Sequence, residues 1–158
     1  MDKHTEKVIY KWTEPTNKDF CSFYLITEAY YDSLVGGKSN RVGFVPYNIS
    51  ESIQDVLIAY INDKAVACAG LKNHNESDAE IKRVWVEPEY RRNGIALAMM
   101  DRIEDKACHM GFKRSILQTR EVMTDAMGLY MNRGYYRIDN YPPYDKLEGA
   151  VCLAKDLS

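Results

Sequence analysis

Apolar residues along this chain switch repeatedly between alternate and helical spacing. "KVIYKW" (7–12) reads as a short strand. "EPTNKD" follows with helix-start chemistry: Pro15, then Thr16 or Asn17 as N-cap, with Asp19 favourable in the first turn. From Asp19 to about Leu34 the side chains of Phe20, Phe23, Tyr24, Tyr30, Tyr31 and Leu34 recur at helical spacing, and Gly36-Gly37 stops that helix. Residues 36–52, "GGKSNRVGFVPYNISES", are polar and glycine-punctuated and read as loop, with room for one helical turn.

A hairpin comes next: "VLIAYI" (56–61), the turn "NDK" and "AVACAGLK" (65–72). "AEIKRVWVEP" (79–88) is a long strand ended by Pro88. Ile95, Met99, Met100, Ile103, Ala107 and Met110 trace the apolar face of a helix closed by Gly111. "RSILQT" (114–119) is a strand, and "TDAMGLYMNRG" (124–134) a helix with Thr124 or Asp125 as N-cap and Gly134 just past its end. "YYRID" and "GAVCLAK" are the last strands, joined by the aromatic link "NYPPYDKLE". Helix and strand alternate without repeats or linkers, which predicts one α/β (α+β) domain over 1–158.

Composition narrows the class. A chain of 158 residues that is 46% apolar and 28% charged is an ordinary globular domain. With 21 basic and 23 acidic residues the net charge is 21 − 23 = −2, which argues against a nucleic-acid or membrane-surface partner. "MDKHTEKVIYKW" lacks the apolar core of a signal peptide, and no window approaches the ~18 apolar residues of a membrane span. Cys21, Cys68, Cys108 and Cys152 are scattered, and His4, His74 and His109 lie far from any metal-ligand spacing. The expectation is a cytoplasmic protein with free thiols and no metal.

Two phosphate-binding patterns fail on inspection. "GGKS" (36–39) ends like a Walker loop, but Asp32 stands where the first glycine belongs, and the stretch follows a helix instead of a strand. A dinucleotide fingerprint is missing its glycines and its later acidic residue.

"EYRRNGIA" (89–96) carries the chemistry. A helix beginning at Asn93 or Gly94 presents unpartnered amides and the positive end of its dipole. Gly94 permits close approach to the backbone, Ala96 keeps the first turn uncrowded, and Arg91 and Arg92 attract an anion. An ordinary solvated turn explains the same residues equally well in isolation.

"VWVEPEYRRNGIA" (84–96) resembles the acyl-CoA binding segment of the GNAT superfamily of N-acetyltransferases, Arg/Gln-x-x-Gly-x-Gly/Ala after a strand, with Arg91, Gly94 and Ala96 on the pattern. "AMGLYMNRGY" (126–135) is similar to the family's Ala-x-x-Leu-Tyr-x-x-x-Gly-Phe/Tyr helix. The resemblance implies the acyl-CoA N-acyltransferase fold: a mixed, mostly antiparallel sheet of about six to seven strands flanked by helices. Its fourth and fifth strands, here 79–87 and 114–119, splay to admit coenzyme A. Backbone groups of Val84, Trp85 and Val86 would pair with the pantetheine arm. The amides of Arg92, Asn93, Gly94, Ile95 and Ala96 would hold the pyrophosphate.

The implied reaction moves an acetyl group from acetyl-CoA to a primary amine. The amine is mostly protonated at neutral pH, so a base or a desolvating pocket is needed. The thioester oxygen needs a donor, which a bulged strand can supply. By resemblance Tyr130 is the acid for the departing sulfur and Glu80 the candidate base. Lys82 lies on the same face of a regular strand as Glu80, so a structural ion pair competes with that role. Many relatives carry an asparagine six or seven residues before the tyrosine; Met123 and Thr124 stand there, and Thr124 can supply one hydrogen bond or cap the helix.

Three readings remain: an enzyme acting on a small-molecule amine, as a monomer or homodimer; an acetyltransferase of protein or peptide amines; or a non-catalytic acyl-CoA-binding module. Segments 36–50 and 139–147 are the expected specificity elements, with Phe44, Tyr47, Tyr141 and Tyr144 as aromatic walls beside charges of both signs. Such walls would suit a zwitterionic, amino-acid-like amine.

Overall fold

Asn17 starts the first helix. In the computed structural model, which describes residues 7–34 and 53–157, its Oδ1 accepts hydrogen bonds from the amides of Asp19 (2.9 Å) and Phe20 (3.2 Å). That decides between the two N-caps the sequence allows. Strand β1 is Val8–Thr13 and helix α1 Lys18–Leu34. Strands β2 (Asp55–Ile61) and β3 (Lys64–Asn73) form a hairpin whose turn, Asn62-Asp63, has φ of 49° and 64°. Both turn residues are left-handed, which matches the twist of the flanking strands.

Strand β4 (Asp78–Val86), helix α2 (Ile95–His109), strand β5 (Arg114–Arg120), helix α3 (Thr124–Asn132) and strands β6 (Tyr136–Ile138) and β7 (Ala150–Asp156) complete the order. One mixed sheet runs β1-β2-β3-β4-β5-β7-β6, with β4 and β5 its parallel pair. One face packs under α2 through Leu57, Ala59, Met99, Met100 and Ile103. The other packs under α1 through Phe20, Phe23, Val56 and Ile58. The helical stripe on α1 is narrower than its pattern suggests, for Tyr30 is exposed.

Two departures from regular pairing shape the centre. Opposite β3, the register passes from Cys68↔Trp85 to Gly70↔Lys82, so two residues of β4, Arg83 and Val84, oppose the single Ala69 of β3. This is a β-bulge, and Arg83 within it takes φ 59°, unusual for a non-glycine residue. On its other side β4 pairs with β5 only through Asp78↔Arg114, Ala79↔Ser115 and Glu80↔Ile116. Beyond Glu80 the strands part, while β5 stays paired with β7 along its whole length. Arg114 closes the joined end: its Nε and Nη2 donate to the Asp78 carboxylate at 2.9 and 3.0 Å.

Candidate functional site

The gap between β4 and β5 organises the site. The Glu87 amide donates across to Val66 O of β3 at 2.8 Å, so alternation turns the backbone groups of Val86 to the open edge. Arg91 Nε donates to the Val86 carbonyl there (2.8 Å), and its guanidinium lies 4.6 Å from the centre of the Trp85 ring. Arg91 thus ties the turn back onto the strand it follows. Among the described residues the buried Trp85 indole Nε1 has no hydrogen-bond partner, a state costing about 1–3 kcal/mol unless another group or water supplies an acceptor.

After a single 3-10 turn at Pro88–Tyr90 the chain takes left-handed conformations at Arg92 (φ 66°) and Gly94 (φ 78°), and α2 begins at Ile95. Gly94 is the N-cap, and among the described residues no side chain caps the helix. The first amides of α2 therefore face outward without the partner most helix starts have. A Cβ built on Gly94 would meet nothing within 4 Å, so the space over these amides is open. Open amides at a helix start, under a left-handed glycine, fit the anionic groups of coenzyme A.

Tyr130 is buried on α3 among the residues packed under α2, its ring 5.8 Å from that of Tyr135. Behind it, Tyr135 donates to Glu104 (3.1 Å), which also receives Arg133 Nη2 (2.7 Å) and Lys155 Nζ (2.8 Å). This buried ionic cluster joins α2, the end of α3 and β7. The N-cap of α3 is Met123, neither Thr124 nor Asp125, so capping does not occupy the exposed Thr124 hydroxyl.

Glu80 faces the opposite side, 2% exposed, and accepts a hydrogen bond from the Tyr141 hydroxyl at 2.9 Å. Lys82 shares that face as the strand period requires, yet among the described residues no ion pair joins the two. The Lys82 ammonium donates instead to the Tyr144 hydroxyl at 3.2 Å. Burial pushes the Lys82 ammonium below its ordinary pKa, against the opposing pull of Glu80. Burial first, then the Glu80 charge, pushes both tyrosine hydroxyls up, so they remain protonated donors.

The bulge puts Arg83 on this face too, where its Nη1 donates to Thr27 Oγ1 (2.9 Å), Nη2 pairs with Glu28, and its guanidinium lies over Tyr24 at 4.2 Å. These contacts fasten α1 to β4. Separately, a concavity of about 640 Å³ lined by Asn75, Ser77, Lys113 and Asp156 lies at the closed end of the strand pair. The Asp78–Arg114 bridge already fills its chemistry.

The structure also corrects the expectation for Tyr144. Tyr144 is 2% exposed and packs on Ala150 and Cys152, so it is core and not a wall of an acceptor pocket. Backbone bonds from Tyr144 to Tyr141 (2.8 Å) and Leu147 to Tyr144 (3.1 Å), with Asn140 Nδ2 on Ala150 O (3.0 Å), knit the link into the sheet edge. Segment 36–50, with Phe44 and Tyr47, lies outside the described residues, as does the "GGKS" stretch. Two features went unforeseen, the Trp85 side chain and the Arg83 position. For the second a signal existed: Gly70 stands inside an otherwise good strand, and a Cβ there would lie 2.8 Å from Ile53 Cγ2 and 3.3 Å from Lys82 O.

Among the described residues no group of three or more His, Cys, Asp or Glu side chains is placed to hold a metal, and no helix is long and apolar enough to cross a membrane. Residues 7–135 match the family described as "Acetyltransferase (GNAT) family". The chain is 34% identical over 77 residues to "Probable N-acetyltransferase 14" of Xenopus tropicalis, covering 48% of this chain and 37% of that protein. It is 28% identical over 89 residues to "IAA acetyltransferase" of Azospirillum brasilense, covering 56% of this chain and 58% of that protein. Each match thus spans less than two thirds of the relative's own length. A GNAT family acetyltransferase of Elizabethkingia anophelis, solved with acetyl-CoA bound, superposes with a TM-score of 0.68 at 17% identity, covering 95% of this chain and 98% of the other. At that identity the likeness speaks for the fold.

Proposed function

Because the chain belongs to the GNAT acetyltransferase family, we propose that it transfers an acetyl group from acetyl-CoA to the primary amine of a small molecule. One observation carries the reading: β4 and β5 part after Glu80, and the gap runs toward the uncapped start of α2. The amides from Arg92 to Ala96 bind the pyrophosphate, and the stretch Val84, Trp85 and Val86 lines the pantetheine arm, with Val86 turning its backbone to the open edge. Thr124 adds a hydroxyl from the facing helix.

Acetyl-CoA, when bound, supplies the acetyl group as a thioester. Glu80 takes a proton from the ammonium of the acceptor, which frees a lone pair to bond the acetyl carbon as the carbon–sulfur bond breaks. Tyr130 gives its hydroxyl proton to the departing sulfur, and the second proton shed by nitrogen restores it through solvent. Backbone N–H groups at the bulge are the donors for the thioester oxygen. Glu80 and Tyr130 lie on opposite faces of the sheet, so acceptor and donor meet across the gap.

The depth of Glu80 supports a small acceptor, because α1 and Tyr141 cover that face and admit a slender amine more readily than a folded protein surface. Four free cysteines support a reducing, cytoplasmic setting. The test is turnover: release of free thiol from acetyl-CoA with tyramine, lysine, spermidine, glutamate and a short peptide with a free N-terminus. Turnover with the peptide alone would favour a protein substrate. Coenzyme A binding without turnover on any amine would leave a binding module.

A further inference from the structure

Glu80 is more tightly held than a solvent-facing base would be, and the parts holding it come from far along the chain. Tyr141 bonds one carboxylate oxygen, Glu80 Oε2, at 2.9 Å. The Tyr144 hydroxyl receives the Lys82 ammonium at 3.2 Å. The two rings meet edge-on, 5.6 Å between centroids, and His74 packs edge-on against Tyr141 at 4.8 Å. Tyr144 is itself locked in the core over Cys152. Every hydroxyl in this group is therefore fixed by packing before any ligand arrives.

We propose that Tyr141 is a positioning residue for Glu80, with Tyr144 and Lys82 as its brace, so that the link after β6 orients the base and does not read the acceptor. The inference rests on the assignment of Glu80 as base in the reading above. A carboxylate has about four lone-pair positions, so the Tyr141 hydroxyl on Oε2 leaves room for the amine's proton while restraining rotation of the group. An amine approaching from the α1 side then finds an oxygen in one place, which is what proton transfer over hydrogen-bond distance requires. The brace also separates Lys82 from Glu80: a direct ion pair would turn the carboxylate along the strand, away from the acceptor.

The variants are Tyr141→Phe, Glu80→Gln and the two combined, assayed with acetyl-CoA and whichever amine of the panel turns over fastest. Tyr141→Phe should lower kcat about tenfold while moving the KM for acetyl-CoA less than twofold, with its melting temperature kept because the ring stays. In the Glu80→Gln background the same change should cost less than twofold, since its effect passes through the carboxylate. Loss of the hydrogen bond should also shift the carboxylate stretch of Glu80 in an infrared difference spectrum, a signal independent of any acceptor. If Glu80→Gln slows turnover but Tyr141→Phe does not, or the two losses multiply, or the infrared band stays put, the positioning role is overturned and the base assignment stands. If Glu80→Gln turns over at the full rate, the base assignment fails and takes this inference with it.

Discussion

Tyr130 and Glu80 do their proposed work from opposite faces of one sheet, and each is set by a different neighbourhood. Tyr130 is buried beside Tyr135, whose hydroxyl is anchored by Glu104 and by Ser115 (2.7 Å). Tyr130→Phe keeps that packing and removes the proton donor. Steady-state kinetics should show kcat lower by about 10²-fold with coenzyme A affinity retained, and a wild-type rate would remove Tyr130 from the chemistry. The helix that carries Tyr130 was legible from its period and from Gly134 at its end; the role proposed for Tyr130 came from the family resemblance. The partners of Glu80 were not legible: Tyr141 is 61 positions away, and nothing local in "YPPY" says which strand its hydroxyls will face. Lys82 was correctly placed on the Glu80 face, but its reach to Tyr144 depends on that same distant link.

Strand β4 departs from regularity twice, at its bulge and at its parting from β5. The bulge has no signature on β4, where an arginine takes the left-handed conformation. Its one trace in the sequence is across the pair, at Gly70. Gly70→Ala should cost about 1–3 kcal/mol, because the new methyl meets the Ile53 side chain at 2.8 Å, and Ile53→Val in the same chain should recover part of that loss in urea melts. The joined end of β4 and β5 depends on Asp78, whose carboxyl Arg114 holds below its ordinary pKa of 3.8. A carboxyl depressed in the folded state stabilises fully above 3.8, and that contribution disappears as pH falls from there through the lower folded value. Asp78→Asn should therefore cost about 2 kcal/mol at neutral pH. The gap between wild type and variant should close on acidification below that point, and a pH-independent difference would place the effect elsewhere.

Across the whole molecule, the order of strands and helices was readable because each element carries its own period, cap or turn: Asn17, the Asn62-Asp63 turn, Gly111 and Gly134 all act where the pattern places them. The parting of β4 from β5 is different in kind. Both strands read as uniformly good, and only the family resemblance led to the expectation that they would separate. In the proposed reading the open gap, the uncapped start of α2 and the left-handed Gly94 together make a site that coenzyme A completes. Thermal unfolding of the wild type and Gly94→Val, each with and without coenzyme A, tests this most directly. A hundredfold excess over the dissociation constant should stabilise the wild type by about 2.7 kcal/mol. Valine at Gly94 strains a backbone at φ 78° and fills the open space above the amides, so the variant starts less stable and should gain almost nothing from the ligand. An equal ligand-induced shift in both proteins would contradict the pyrophosphate cradle and the account built on it.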